Sequence, residues 1–535
     1  MSSKSLPSEF LPLAFKYFGF SCLLFLAVLF LKYLAIESTQ NFTSDEAVLN
    51  MLGREIYQHG SVFPRNWITA NGDLMLPSGT LIIAALLNFF PNNFEMHAFV
   101  SILLTAVFLF SIHYALRTYA RQSYFLPMAI FASGVSFKYT QMVLLQTTYF
   151  WWITAFFLTI SVFANHRFSR PGFGAQILVA LMSACVSLSN PGRAMLMYVL
   201  PALAFVSVFH FPERISVVSL KPIVWRICPI TSGWLIAAAI YYISRRLGWW
   251  DTVDHASALQ LAGPNQIFSN LAILLNGWMN YLGVDALAFG GTVLSGFYLA
   301  MCAAFVVLFS AAAIVWWLCA GSRDTGHFDF YRAMAAAFLA AFVPVLVLYV
   351  FFVPLAVNEW TTRYFTTPIT ILFFVSAICI QNWISVKCSY HIVVTVMVLV
   401  SICWLSHIRY QVQSANYRAE TNLIRVARDI QALNIAKGYS TYWNASSLTV
   451  LTSETVKVRP LNVAVDALHP YPVMVSRDWY KDESVQSFLL LTNAEETTLA
   501  QVIENQFGRP QRTLSSNGYI ILIYDYDLAR NMQWS

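Results

Sequence analysis

Apolar stretches about as long as a membrane is thick recur between residues 11 and 407, and few folds can accommodate them. A helix needs roughly 20 mostly apolar residues to cross the hydrocarbon layer, and somewhat fewer inside a bundle. Eleven segments are read this way: 11–36, 94–116, 124–137, 149–164, 173–188, 194–211, 227–243, 292–320, 334–352, 368–384 and 392–407. Only 11% of the chain is charged and 58% is hydrophobic, whereas an average soluble domain carries about 25% charged residues. The expected fold class is a polytopic α-helical membrane protein with about 11 transmembrane helices. One further run, "LPSGTLIIAALLNFF" (76–90), is apolar but short and opens with Pro-Ser-Gly. That length suits an interfacial or re-entrant segment, so it is expected to lie flat on the outer surface. Were it to span, every later orientation would reverse.

Charge is unevenly spread. The 128 residues from Ile408 onward hold 24 of the 58 charged residues, 12 basic and 12 acidic, so the first 407 carry the whole net charge of +6. With the N-terminus inside, eleven Lys and Arg fall in cytoplasmic segments and five in the opposite short loops, while Arg245 and Arg246 break the pattern. This bias follows the positive-inside rule, and an odd number of spans then places the tail outside. No basic run exists to suggest nucleic-acid binding. The apolar run after Lys16 is too long for a cleavable signal and ends in no small-residue cleavage site. All eight cysteines lie in or beside apolar segments without metal-ligand spacing, and read as packing residues.

The tail changes character at 408. "NYRAETNLIRVARDIQALN" has helical apolar spacing, whereas "VKVRPLNVAV", "FLLLTN" and "YIILIYDYD" read as strands. Between the last two, "TNAEETTLAQVIENQFG" opens with a capping box from Thr492 to Glu495 and closes at Gly508. Alternating helices and strands predict a small soluble α/β domain over 408–535. The expected division is a membrane domain over 1–407, with outer loops at 37–93 and 244–291, followed by this domain.

The stretch "NFTSDEAVLNMLGREIYQHG" (41–60) sets two carboxylates, Asp45 and Glu46, at the start of an amphipathic helix. Thr43 and Glu46 form a capping box that starts the helix near Ser44. Acids in a first turn also complement the helix dipole, so a purely structural role accounts for the pair. Val48, Met51, Leu52 and Ile56 share one face, as on a helix lying along a membrane surface. Neighbouring residues project about 100° apart, so only one acid can face a given cavity and the other is left to cap. A partly desolvated carboxylate at the lip of a helical bundle gains basicity, the property of a general base.

In order, Asp45, Glu46, Arg54, Gly60, Pro64 and Pro77 precede a second span. This opening resembles GT-C glycosyltransferases, membrane enzymes that take sugars from polyprenyl-phosphate carriers. "EWTTRYFTTP" (359–368) is similar to the Arg-Tyr stretch before a late span in that family. "KGYSTYWNASSLTVLTSETVKVRPL" (437–461) looks like the outer domain of bacterial members, including serotype-converting glucosyltransferases that decorate O-antigen.

The resemblance implies that Asp45, with Glu46 as alternate, deprotonates an acceptor hydroxyl. The departing phosphate needs cations, and the candidates are Arg193, Arg363 with Tyr364 beside it, and Lys138. Arg193 lies between two apolar segments, where arginine is costly unless it snorkels or functions. Arg363 has an alternative partner in Glu359, one helical turn earlier. Many family members carry another acid at the outer start of the fourth span, but this chain reads "FKYTQMVLLQTTYFWW" with Lys138 there. A cofactor-free enzyme is therefore expected, with a divalent metal as the alternative. In the loop 244–291, Trp249 and Trp250 are candidates to stack on a sugar or to belong to the aromatic belt, and Asp251, Asp254 and His255 to contact the acceptor.

The implied function is transfer of a hexose, glucose by resemblance, from polyprenyl phosphate to a surface polysaccharide or lipopolysaccharide. The implied location is the periplasmic face of a bacterial inner membrane, with the N-terminus cytoplasmic. The partners are that lipid-linked donor, the polysaccharide acceptor and the bilayer. A transporter or flippase of lipid-linked saccharides, or a polymerase, is the alternative. Against transport stand the lack of similar halves and the concentration of polar groups in outer loops.

Overall fold

The computed structural model describes residues 10–119, 124–164, 171–210, 217–253, 260–281, 328–353, 359–387, 390–418, 421–464, 466–481 and 484–534. Among them, seven helices are long and apolar enough to cross a membrane: Leu13–Ala35, Phe94–Tyr119, Pro191–Phe209, Ile223–Arg246, Asp329–Phe351, Thr361–Ser385 and His391–Gln411. A bent pair, Phe125–Ala132 and Phe137–Leu145, makes eight if it is one span, and Phe150–Phe163 and Phe173–Leu188 are shorter apolar helices. This set is compatible with a multi-pass membrane protein. The expected segment 292–320 lies outside the described residues.

One compact unit gathers Met1–Tyr33, Leu104–Ala239 and Ala258–Val412. Its helices meet through small residues and buried hydroxyls, the means by which apolar helices approach one another in lipid. At Gly233 an added Cβ would sit 2.2 Å from the Ala180 carbonyl oxygen, and Ser183 donates to the Ile230 carbonyl at 2.7 Å. Tyr139 and Thr370 share a hydrogen bond of 2.8 Å, and Trp152 donates to the Val186 carbonyl at 2.9 Å.

The segment expected as one span over 124–137 instead holds only the short helix Phe125–Ala132, and the next helix, Phe137–Leu145, is bent from it by 77°. Gly134 and Val135 take φ of 79° and 53°, left-handed values that end the first helix, and Ser136 caps the next by accepting from the Tyr139 amide at 2.9 Å. The carbonyls freed at the break need donors. Arg409, buried on the His391–Arg418 helix, donates to the carbonyls of Ser133 and of Val135, the latter at 2.8 Å.

A second compact unit consists of Leu34–Leu103, Ile240–Ser257 and Gln413–Ser535. The C-terminal region therefore does not stand apart: it shares a unit with 34–103 and with 240–257. A small sheet takes one strand from each. Trp67–Ala70 pairs in parallel with Asp251–Val253 and antiparallel with Val475–Ser476.

The "LPSGTLIIAALLNFF" run forms a helix of only 8 residues, Gly79–Leu86, too short to span at 1.5 Å per residue. Ser78 caps it by accepting from the Thr80 amide at 3.1 Å. Ile83 packs against Gly53 of the Ser44–His59 helix, where an added Cβ would sit 2.8 Å away.

The C-terminal region carries a six-stranded mixed sheet. Its strands are β1 (Lys437–Thr441), β2 (Lys457–Val463), β3 (Leu468–Pro470), β4 (Ser487–Thr492), β5 (Arg512–Ser516) and β6 (Tyr519–Tyr524). The order is β5-β6-β4-β1-β2-β3, with β1 parallel to both β2 and β4. The strands anticipated as "VKVRPLNVAV", "FLLLTN" and "YIILIYDYD" become β2, β4 and β6. The helix Asn493–Phe507 begins at the Thr492–Glu495 box and stops at Gly508. Val426, Ile430, Leu448, Phe488 and Ile521 form the core between helices and sheet.

The start of β1 is pinned by a buried ion pair. Lys437 Nζ lies 2.8 Å from Asp527 Oδ2, and Asp527 also accepts from the Tyr439 hydroxyl at 2.5 Å and from the amides of Ser484 and Ala529 at 3.0 Å each. Burial alone would raise this carboxyl, but the four donors outweigh it and hold Asp527 below its usual range. A carboxyl depressed on folding stabilises above its unfolded pKa of about 4 and loses that contribution as pH falls through the folded value. Asp527→Ala should cost about 3–5 kcal/mol, because the buried Lys437 loses this carboxylate. Limited proteolysis of the detergent-solubilised chain against temperature checks this. The wild type should lose part of the same stability below about pH 4.

Candidate functional site

The Ser44–His59 helix separates the two acids. Its N-cap is Thr43, and Glu46 closes the capping box by accepting from the Thr43 amide at 2.7 Å and from the Thr43 hydroxyl. Glu46 is fully buried in that role. It is therefore the cap, not the displayed acid. Asp45, one residue earlier and about 100° round the helix, is half-buried and accepts a hydrogen bond from the Tyr442 hydroxyl at 2.7 Å.

Tyr442 opens the Tyr442–Leu451 helix that links β1 to β2. Its ring stacks on Tyr471 with centroids 4.5 Å apart and planes at 20°. Burial, then the Asp45 charge, pushes the Tyr442 phenol well above its ordinary value. Tyr471 is raised by the same two causes, so the carboxylate acts on both phenols. Nothing in "YSTYWNASS" marks this tyrosine as a partner of a carboxylate 397 residues away.

Polar contacts buttress the helix further along. Asn50 donates to Asn92 at 2.8 Å, His97 Nδ1 lies 2.8 Å from the Asn50 side-chain oxygen, and Asn92 donates to Glu454 at 2.7 Å. Arg54 pairs with the same Glu454 at 3.3 Å. At the next position, buried Glu55 accepts from the Trp479 indole at 2.7 Å, and the Arg459 guanidinium lies 4.3 Å from the centroid of that ring. Of the residues matched in the first loop, Arg54 belongs to this set of contacts along the helix that carries Asp45.

The candidates in the second loop divide. Trp249 is half-exposed beside Phe63. Trp250 is interior: its indole donates to the Ser244 hydroxyl at 3.0 Å and its ring packs 5.0 Å from Tyr241. That burial removes it from the surface a sugar can stack on. Asp251 forms an ion pair with Arg477 at 2.9 Å, both half-exposed. Asp254 and His255 lie outside the described residues.

The cation candidates belong to the first unit. Asn190 caps the turn Pro191–Ala194 by accepting from the Arg193 amide at 3.0 Å, which fixes where Arg193 leaves the backbone. The guanidinium of Arg193 lies 6.0 Å from the Tyr364 ring centroid, and that of Arg363 lies 5.9 Å from the same centroid. Two arginines distant in sequence therefore share one aromatic ring. Arg363 and Tyr364 sit on a short 3-10 helix, Glu359–Phe365, and the Glu359 side chain lies outside the described residues. Lys138 is half-buried on the turn Phe137–Thr140, just after the helix break. Among the described residues no three of His, Cys, Asp and Glu converge as metal ligands.

Removing the cap and altering the displayed acid should have separable effects. Glu46→Ala should lower stability by about 1 kcal/mol through loss of the capping box. Asp45→Asn keeps an acceptor for Tyr442 and should leave the unfolding midpoint within a degree or two of wild type. Thermal unfolding of the purified variants in detergent checks both.

No protein-family model matches this chain, and neither does any curated protein.

Proposed function

We propose that this chain is a membrane glycosyltransferase of the GT-C type, moving a hexose from a polyprenyl-phosphate carrier to a surface polysaccharide. The observation that carries the reading is the division of labour in the acid pair: Glu46 is consumed by the cap, and Asp45 is held out by a tyrosine. A pair that only capped would need no such contact on Asp45.

The chemistry follows from these groups. Asp45 takes the proton of an acceptor hydroxyl as that oxygen attacks the anomeric carbon. The bond from that carbon to the phosphate oxygen breaks, and its electron pair leaves with the polyprenyl phosphate. Arg193 and Arg363 offer guanidinium groups suited to the phosphate, with Tyr364 as the ring that orders both. On this reading the spans number about 11, the N-terminus is cytoplasmic, the 408–535 region forms a periplasmic α/β domain, and the site faces the periplasm of a bacterial inner membrane. Glucose and O-antigen are the proposed sugar and acceptor.

A transporter of lipid-linked saccharides is the second reading, favoured by the broken helix pair Phe125–Ala132 and Phe137–Leu145, a feature of transporter folds. Purified protein incubated with labelled polyprenyl-phosphate hexoses and lipopolysaccharide, with and without a chelator, separates the two. Transfer of label supports the enzyme, whereas movement of the lipid across vesicles without transfer supports the transporter.

Asp45→Asn should lower turnover by about 100-fold or more. Arg193→Ala should raise the donor KM by about 10-fold or more through loss of a charge-assisted phosphate contact. Transfer that survives both Asp45→Asn and Glu46→Gln would remove the base assignment.

A further inference from the structure

The Tyr442 contact is more than an incidental neighbour of the acid. Its main chain and its side chain grip two consecutive residues of the Ser44–His59 helix. The Tyr442 carbonyl accepts from the Ser44 hydroxyl, and Ser44 Oγ in turn accepts from the Ser446 amide at 3.2 Å. The Tyr442 hydroxyl donates to Asp45 Oδ1 at 2.7 Å and lies 3.3 Å from Met474 Sδ. One residue of the C-terminal region therefore fixes both the position of the first helical turn and the rotamer of its carboxylate. The ring is itself immobilised by burial and by the stack on Tyr471.

We propose that Tyr442 is the positioning residue for Asp45, so that the C-terminal region builds part of the reacting end of the site. This inference rests on the glycosyltransferase reading above.

A phenol pushed up by burial and by Asp45 stays protonated throughout the physiological range, so it remains a donor and never competes for the proton that Asp45 must take. Its O–H directs one carboxylate oxygen, and an acceptor hydroxyl approaches the carboxylate with its orientation already set. Pre-orientation of this kind acts on turnover, since it lowers the cost of reaching the reactive geometry without adding a contact to either substrate.

Tyr442→Phe is the informative change, because it keeps the ring, the stack and the backbone contacts to Ser44 and removes only the hydroxyl. The assay uses the full chain in detergent with labelled undecaprenyl-phosphate glucose and lipopolysaccharide. Turnover should fall about 10- to 100-fold, the range for a lost hydrogen bond to a charged group, while both KM values stay within about two-fold. In an Asp45→Asn background the same change should have no further effect on the residual rate, because the two residues act as one unit. A merely structural tyrosine would lower the unfolding midpoint and leave turnover of the folded fraction unchanged, which would overturn the proposal. So would a KM effect alone, or a rise in activity, which would make Tyr442 an occluder of the acid. If Asp45→Asn is inactive and Tyr442→Phe behaves as wild type, only the positioning role falls. If Asp45→Asn is fully active, the base assignment to Asp45 falls and this role falls with it, while the glycosyltransferase reading stands; if the wild type transfers no hexose, that reading falls and takes both with it.

Discussion

The backbone amides of Trp67–Ala70 need partners, and they find them on two segments far away in sequence. That requirement organises the site-bearing unit. A four-residue strand has two edges, and an unpaired buried edge costs about a hydrogen bond per group. Here Asp251–Val253 takes one edge and Val475–Ser476 takes the other. Side chains reinforce the same join: Thr69 donates to the Asp251 carbonyl at 3.1 Å, Tyr241 donates to the Gly72 carbonyl at 2.7 Å, and Trp67 meets Trp479 edge-on at 5.7 Å. Asp45 meets a tyrosine of the C-terminal region because the loop that carries it is sewn to that region.

Within that frame the electrostatics are economical. The first turn of a helix favours a negative charge, and two acids stand there. One satisfies the orphan amide of Thr43 and disappears into the interior. The other keeps part of its surface and is steadied by a neutral donor, which supports a carboxylate without neutralising it. The phosphate candidates show a different arrangement, two permanent cations that share one aromatic ring.

Much of this architecture was readable from the residues, for identifiable reasons. Apolar runs announce helices by length alone, and both capping boxes, Thr43–Glu46 and Thr492–Glu495, are local patterns with a local cause. Helical geometry alone lets one acid cap while the other faces elsewhere, and the Thr43–Glu46 spacing already marks Glu46 as the cap. Three features had no local signature. Tyr442 follows β1 with no intervening loop, so its helix has no punctuation to betray it. Arg409 lies just beyond an apolar run and reads as the first charge of the tail, although its guanidinium serves carbonyls some 276 residues earlier. Trp250 reads as a sugar platform or a belt aromatic, but it is the interior partner of Tyr241. Each is settled by long-range packing, to which hydropathy and spacing are blind.

The three-strand join also sets an order of events during synthesis. A ribosome adds about 5–20 residues per second, and Trp67–Ala70 emerges long before either partner: Thr69 waits 182 residues for Asp251, and Asn66 waits 412 for Asp478. For that interval the strand has no edge to pair with and the neighbouring acid has no phenol. The apolar helices made meanwhile can enter the bilayer one by one, as each becomes long enough. The segment bearing Asp45 cannot reach its final form until the polypeptide has been made past residue 476, so assembly of this part is necessarily a late, non-local closure.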